Sequence, residues 1–177
     1  MAGPSHYILP RPVFDKSVKL LIVASPYYKD VCDMQVAGAV AEIETTGATY
    51  ELVNVTGALE ISTSIAIAER TASFDGYVAL GCVIRGETTH YDTVCNDSSR
   101  ALQLMGLQGV CIGNGILTVE NYDQAIERAD PVQMNKGAGA AAAALHLVAL
   151  SRKWGRPDKG IGFKSEILLA QGGKSTA

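Results

Sequence analysis

The side chains able to do chemistry are concentrated in a few short turns. The richest is GCVIRGETTHYD, residues 81–92, in which Gly86, Thr88 and Thr89 lead into His90. A turn of this composition, leaving a strand and entering a helix, presents free backbone N–H groups and hydroxyls at the positive helix end, a ready site for phosphate. An imidazole at that helix start is a candidate general acid or base, able both to take and to give a proton beside a bound phosphate ester. The plainer alternative is a structural histidine with its ring bonded to backbone, which is what an isolated histidine more often is. His146, in an Ala-rich helix, is read that way. A second turn, VTGALEI at 55–61, puts Glu60 in the first turn of a helix, where a carboxylate complements the dipole whatever else it does. A third, SPYY at 25–28, offers two aromatics that either stack on a planar ligand or simply pack. Further along, Arg128 closes one helix and Asn135, Lys136 and Gly137 open the next; cations at helix ends are usually solvated.

Positioning these turns requires strands and helices in alternation, and the chain reads β-α-β-α-β-α-β-α-α. The apolar, β-branched runs 18–24 (VKLLIVA), 49–55, 77–84 and 109–112 are predicted strands. Helices are predicted over 30–46, where Val36, Val40 and Ile43 share a face, and over 58–69, about 90–107, 121–129 and 137–154. Repeated βα units with right-handed crossovers give a three-layer α/β/α sandwich around a four-stranded parallel sheet, flavodoxin-like in outline. Ligands of such sheets gather at the carboxyl ends of the strands, so the turns after Ala24, Val55, Ile84 and Ile112 are the places to look. Residues 1–15, with three prolines, read as an N-terminal arm, 16–154 as one domain, and 155–177 as a Gly- and Lys-rich tail.

Composition narrows the partners. A chain of 177 residues with 47% hydrophobic residues is one domain with a sizeable core, and 19% charged residues fall below the usual share of roughly 25%, which hints at buried subunit interfaces. Fifteen Lys+Arg against 18 Asp+Glu leave a net charge of −3, so no basic field exists to hold nucleic acid or anionic lipid. The longest apolar stretch, 138–150, is shorter than the roughly 20 residues that span a bilayer. The first residues lack the basic start and apolar run of a secretory signal, which points to the cytoplasm. Cys32, Cys82, Cys95 and Cys111 form no C-x-x-C pair and no cluster with His6, His90 or His146, so neither a disulfide framework nor a metal site is expected.

From about residue 19 to 153 the sequence resembles the 6,7-dimethyl-8-ribityllumazine synthase family of riboflavin biosynthesis. The resemblance rests on GCVIRGETTHYDTVCNDSSRAL at 81–102, with TGALEI at 56–61, GILTVENYDQAIERA at 115–129 and NKG at 135–137, in the family's order and spacing. It implies condensation of 5-amino-6-(D-ribitylamino)uracil with 3,4-dihydroxy-2-butanone 4-phosphate, with loss of phosphate and water and without metal or redox cofactor. It implies proton transfer by His90, phosphate binding by Gly86, Glu87, Thr88, Arg128 and Lys136, and a ribityl and pyrimidine site from Ala58, Leu59, Glu60, Cys82, Val83 and Ile84 with Tyr27 stacking. Arg128 would come from a neighbouring subunit. So would Asn114, which stands where many members have a Phe. Thr56 and Ser62 replace common prolines and Leu59 a frequent aromatic, which puts the rigidity of the ribityl loop in question. The resemblance further implies a homopentamer or a multiple of it, up to a shell, and riboflavin synthase as a partner. Two alternatives stand beside an active synthase: a catalytically weak flavin- or lumazine-binding or shell-forming relative, and an unrelated phosphate-binding α/β protein.

Overall fold

A computed structural model describes residues 9–155. Four parallel strands lie in the order β2-β1-β3-β4, with β1 at Lys19–Ala24, β2 at Thr49–Asn54, β3 at Gly76–Ile84 and β4 at Ile112–Val119. Between and after them run α1 (Lys29–Thr45), α2 (Ala58–Thr71), α3 (His90–Gly106), α4 (Tyr122–Ala129) and α5 (Lys136–Trp154). The two-residue period of the strands sorts the core into two layers. Leu20, Ile22 and Ala24 of β1 point with Val78 and Leu80 of β3 toward α1 and α5, meeting Ala39, Ile43, Ala140, Ala144 and Leu145. The alternate residues Leu21, Val23, Tyr77 and Ala79 point toward α2 and α3, meeting Ile61, Ile65, Val94 and Leu102. Both faces of the central strands are thereby dry, which explains their unbroken apolar sequence, and the result is the α/β/α sandwich expected from the element order.

The fourth strand departs from the expected position. Residues 109–112 are predicted as strand, whereas β4 begins at Ile112 and runs to Val119, paired with β3 from Tyr77↔Ile112 to Ile84↔Val119. The Gly-Asn-Gly at 113–115 reads as a turn in sequence, yet both glycines lie inside the strand because α5 crosses directly over them. A Cβ on Gly113 would collide with the Ala140 carbonyl oxygen, and one on Gly115 would fall 2.8 Å from Leu80 Cδ2 and 2.9 Å from Ala140 Cβ. The carboxyl end of this strand is therefore at Val119 and not Ile112, and Asn114 sits near its amino end.

The N-terminal segment from residue 9 to β1 forms no helix or strand but is tied down. Arg11 makes two 2.8 Å bonds to the Glu42 carboxylate of α1. Arg152 of α5 lies over the Phe14 ring and donates to the carbonyls of Lys16 and Ser17 and to Asp75. The C-terminal segment 156–177 lies outside the described residues. Among the described residues no helix is long and apolar enough to cross a membrane.

Candidate active site

Strand lengths create the site. β3 pairs with β1 only as far as Leu80↔Ala24, where the Ser25 N–H closes the ladder on the Leu80 carbonyl, while β3 itself continues to Ile84 against β4. Residues Cys82–Ile84 therefore show an unpaired backbone edge on the side of β1. This is the point at which the chain's connections turn to opposite sides of the sheet, the position where open α/β sheets hold ligands.

A cavity of about 370 Å³ occupies that crevice. Its floor is the open edge of Cys82, Val83 and Ile84; its walls are Tyr27 and Tyr28 from the β1–α1 turn and Gly57, Ala58, Leu59 and Glu60 from the start of α2; Gly86, Thr88, His90, Tyr91 and Val94 close it from the start of α3. Tyr27 is 73% exposed and meets Tyr28 edge to face, with centroids 5.1 Å apart, so its ring face is available to a planar ligand. Burial raises the Tyr28 phenol above its ordinary range and pushes the Cys82 thiol up to about 11. The Cys82 sulfur is thus a protonated wall atom at neutral pH and not a nucleophile.

The turn into α3 leaves its backbone donors open, the arrangement that suits an anion. Thr89 caps the helix without a side-chain bond, and the backbone N–H groups of Gly86, Glu87, Thr88 and Thr89 have no acceptor among the described residues. The Thr88 hydroxyl accepts from the His90 N–H at 3.4 Å. The His90 ring makes no hydrogen bond to the described residues, so the structural reading, which needs its ring bonded to backbone, finds no such bond. Opposite, the Glu60 carboxylate accepts from the Thr56 hydroxyl at 3.3 Å, and the Ser62 hydroxyl donates to the Leu59 carbonyl at 3.1 Å. Of the two residues standing in for common prolines, Thr56 thus ties the turn to Glu60, while Ser62 bonds within the first turn of α2.

Four of the predicted site residues do not line this cavity. Glu87, in the same turn, is exposed and is not among the residues that line it. Asn114 is exposed on β4, accepting from the Ile116 N–H, and lines a separate apolar groove with Leu102, Leu107, Leu147, Leu150 and Trp154. Arg128, near the end of α4, donates to the Gln124 carbonyl and to Glu127. Lys136 opens α5 beside Asn135, whose side chain accepts from the Ala138 N–H. The cavity also recruits Gly57, Tyr91 and Val94, to which the motifs gave no role, and Tyr28, the second of the two aromatics in the SPYY turn. For Val94 a signal existed, since it lies one helical turn beyond His90 and so on the same face.

Fold and cavity together define a doubly wound α/β protein whose switch-point crevice pairs an aromatic face and a carboxylate with a helix start rich in unpaired backbone donors and an imidazole that bonds to none of the described residues. Within that class the chain belongs to the 6,7-dimethyl-8-ribityllumazine synthase family, whose profile matches residues 17–152. Relatives of that name include the Jannaschia sp. (strain CCS1) protein, 54% identical over 174 residues, covering 97% of this chain and 98% of the relative. The Novosphingobium aromaticivorans protein is 51% identical over 136 residues, 77% of this chain and 98% of its own length. The Bartonella tribocorum protein is 49% identical over 142 residues, 79% and 94% respectively. The family is one of transferases in riboflavin biosynthesis.

Proposed function

We propose that the chain condenses 5-amino-6-(D-ribitylamino)uracil with 3,4-dihydroxy-2-butanone 4-phosphate to 6,7-dimethyl-8-ribityllumazine, releasing phosphate and water, in the penultimate step of riboflavin biosynthesis. One observation carries this reading: a single strand-end cavity gathers the aromatic face, the carboxylate, the open strand edge, the turn with unpaired backbone donors and the His90 imidazole in the order of the family's motifs. The pyrimidine lies against Tyr27 and pairs with the edge at Cys82, Val83 and Ile84, while Ala58, Leu59 and Glu60 hold the ribityl chain. The phosphate sits on the amides around Gly86, Glu87 and Thr88. Attack of the pyrimidine amine on the ketone gives an imine; phosphate then leaves and ring closure completes the product. His90, beside both ligands, moves the protons that these steps require.

The active form is a ring of five copies or a multiple of it, in which Arg128, Lys136 and Asn114 complete a cavity from the adjacent subunit. Two observations support this. One subunit's own Arg128 lies outside its cavity. Leu107, Leu147, Leu150 and Trp154, around Asn114, form an apolar groove that the described residues leave exposed, the kind of surface a neighbouring copy covers. Both substrates are small and water-soluble, which suits a cytoplasmic enzyme, and riboflavin synthase, which consumes the product, is the proposed partner.

Purified protein supplied with both substrates should form the absorbing lumazine product. Folded protein that forms none would overturn this reading, and tight riboflavin binding without product would favour the weak flavin-binding relative. Arg128→Ala should raise KM for the phosphate ester by roughly ten- to a hundred-fold, the value of a charge-assisted contact, with a much smaller change for the pyrimidine. Equal changes for both would remove Arg128 from the phosphate.

A further inference from the structure

We propose that Arg85 is a positioning residue: it clamps the first turn of α3, and with it the His90 imidazole, to the carboxyl ends of β3 and β4. The inference rests on the reading of His90 as the proton-transfer group. Arg85 follows β3 directly and does not line the cavity. Its backbone N–H donates to the Val119 carbonyl at 2.9 Å, fixing its Cα beside the end of β4. Its guanidinium is then held on two edges and one face. Nε donates to Glu120 at 2.7 Å, Nη1 to Asp92 at 3.4 Å, and the group lies 4.0 Å over the Tyr91 ring. Tyr91 and Asp92 are the two residues after His90, and Tyr91 itself forms part of the cavity wall.

The start of α3 depends on such a clamp. Its N-cap residue makes no side-chain bond, and the turn before it is held by little besides the contact between Thr88 and the His90 N–H. An uncapped first turn frays, and a frayed turn would carry His90 away from the ketone. The ion pairs are partly exposed, with Arg85 at 41%, Asp92 at 54% and Glu120 at 57%, and pairs of that kind add little to stability. What they supply is direction. A planar fork gripped by two carboxylates and an aromatic face has one orientation, whereas a lysine ammonium has neither fork nor plane.

The test is a cycle of Arg85→Gln, His90→Ala and the double variant, each assayed for kcat and KM. Arg85→Gln should lower kcat by roughly ten- to a hundred-fold, the cost of a misplaced catalytic group, with KM for both substrates and the melting midpoint little changed. Arg85→Lys should not restore the rate. In the His90→Ala background the Arg85→Gln change should cost nothing further, because the group it positions is gone. Unaltered kcat for Arg85→Gln in an enzyme that His90→Ala does slow would overturn the proposal alone, as would losses that multiply in the double variant. Full turnover by His90→Ala would overturn both readings. If Arg85→Gln does not fold, Glu120→Gln, which weakens the shortest of the contacts, enters the same cycle with the same outcomes.

Discussion

Replacing His90 with alanine is expected to slow lumazine formation by roughly ten- to ten-thousand-fold, the span for losing a general acid–base group, while leaving the melting midpoint nearly unchanged. The two halves of this expectation have different origins. The ring is exposed at the mouth of the cavity and makes no bond to the described residues, so its removal leaves no buried partner unsatisfied. With no partner among the described residues, both ring nitrogens are open to the substrate protons that the proposed reaction moves, at the helix start where the phosphate is proposed to sit. Steady-state turnover and a thermal melt on the same preparation decide the matter. An unchanged rate would return His90 to a bystander at a helix start, and a lower melting midpoint with full activity in the folded fraction would make it structural after all.

The largest expected effect on stability comes from a residue with no side chain. Gly113→Ala should destabilise the protein by about 3 kcal/mol or more, lowering the melting midpoint by about 10 °C. The added Cβ meets the carbonyl of Ala140 head on and lies 2.7 Å from its carbon and 3.1 Å from the Ala144 nitrogen. All three atoms are backbone, so relief requires the whole of α5 to lift off the sheet. That helix is itself seated closely on α1, since a Cβ on Gly137 would strike the Gln35 carbonyl oxygen. Gly139→Ala, two residues further along the same helix, provides the contrast. Nothing lies within 4 Å of its Cβ position, and the better helix propensity of alanine should make that change neutral or stabilising by up to about 1 kcal/mol. Melts of the two variants should therefore move apart, and a Gly113→Ala protein as stable as the wild type would mean that α5 does not cross β4 as described.

Much of the fold was legible because burial on both faces forces continuous β-branched runs and burial on one face forces helical periodicity. β1, α1 and β3 announced themselves in this way. β4 did not, because its glycines answer to the backbone of α5, far along the chain, and the same residues answering to local geometry would make a turn. The hydroxyl of Thr56 shows the reverse situation, in which a missing proline suggested a looser loop and a hydrogen bond to Glu60, visible only in three dimensions, ties it to α2.

The sequence by itself determined which chemical groups are available and in what order. Glu60 follows a Gly turn, His90 follows a Gly- and Thr-rich one, and Tyr27 follows a strand, because turn chemistry and helix starts are set within a few residues. Only the tertiary structure decided that these groups share one cavity, that Tyr91 and Val94 join them, and that Lys136 stands apart from it within a subunit, as the resemblance already implied for Asn114 and Arg128. Those outcomes depend on β3 extending beyond β1 and on where α5 rests against β4, and both are fixed by packing between segments distant in sequence, which no local pattern of residue types records.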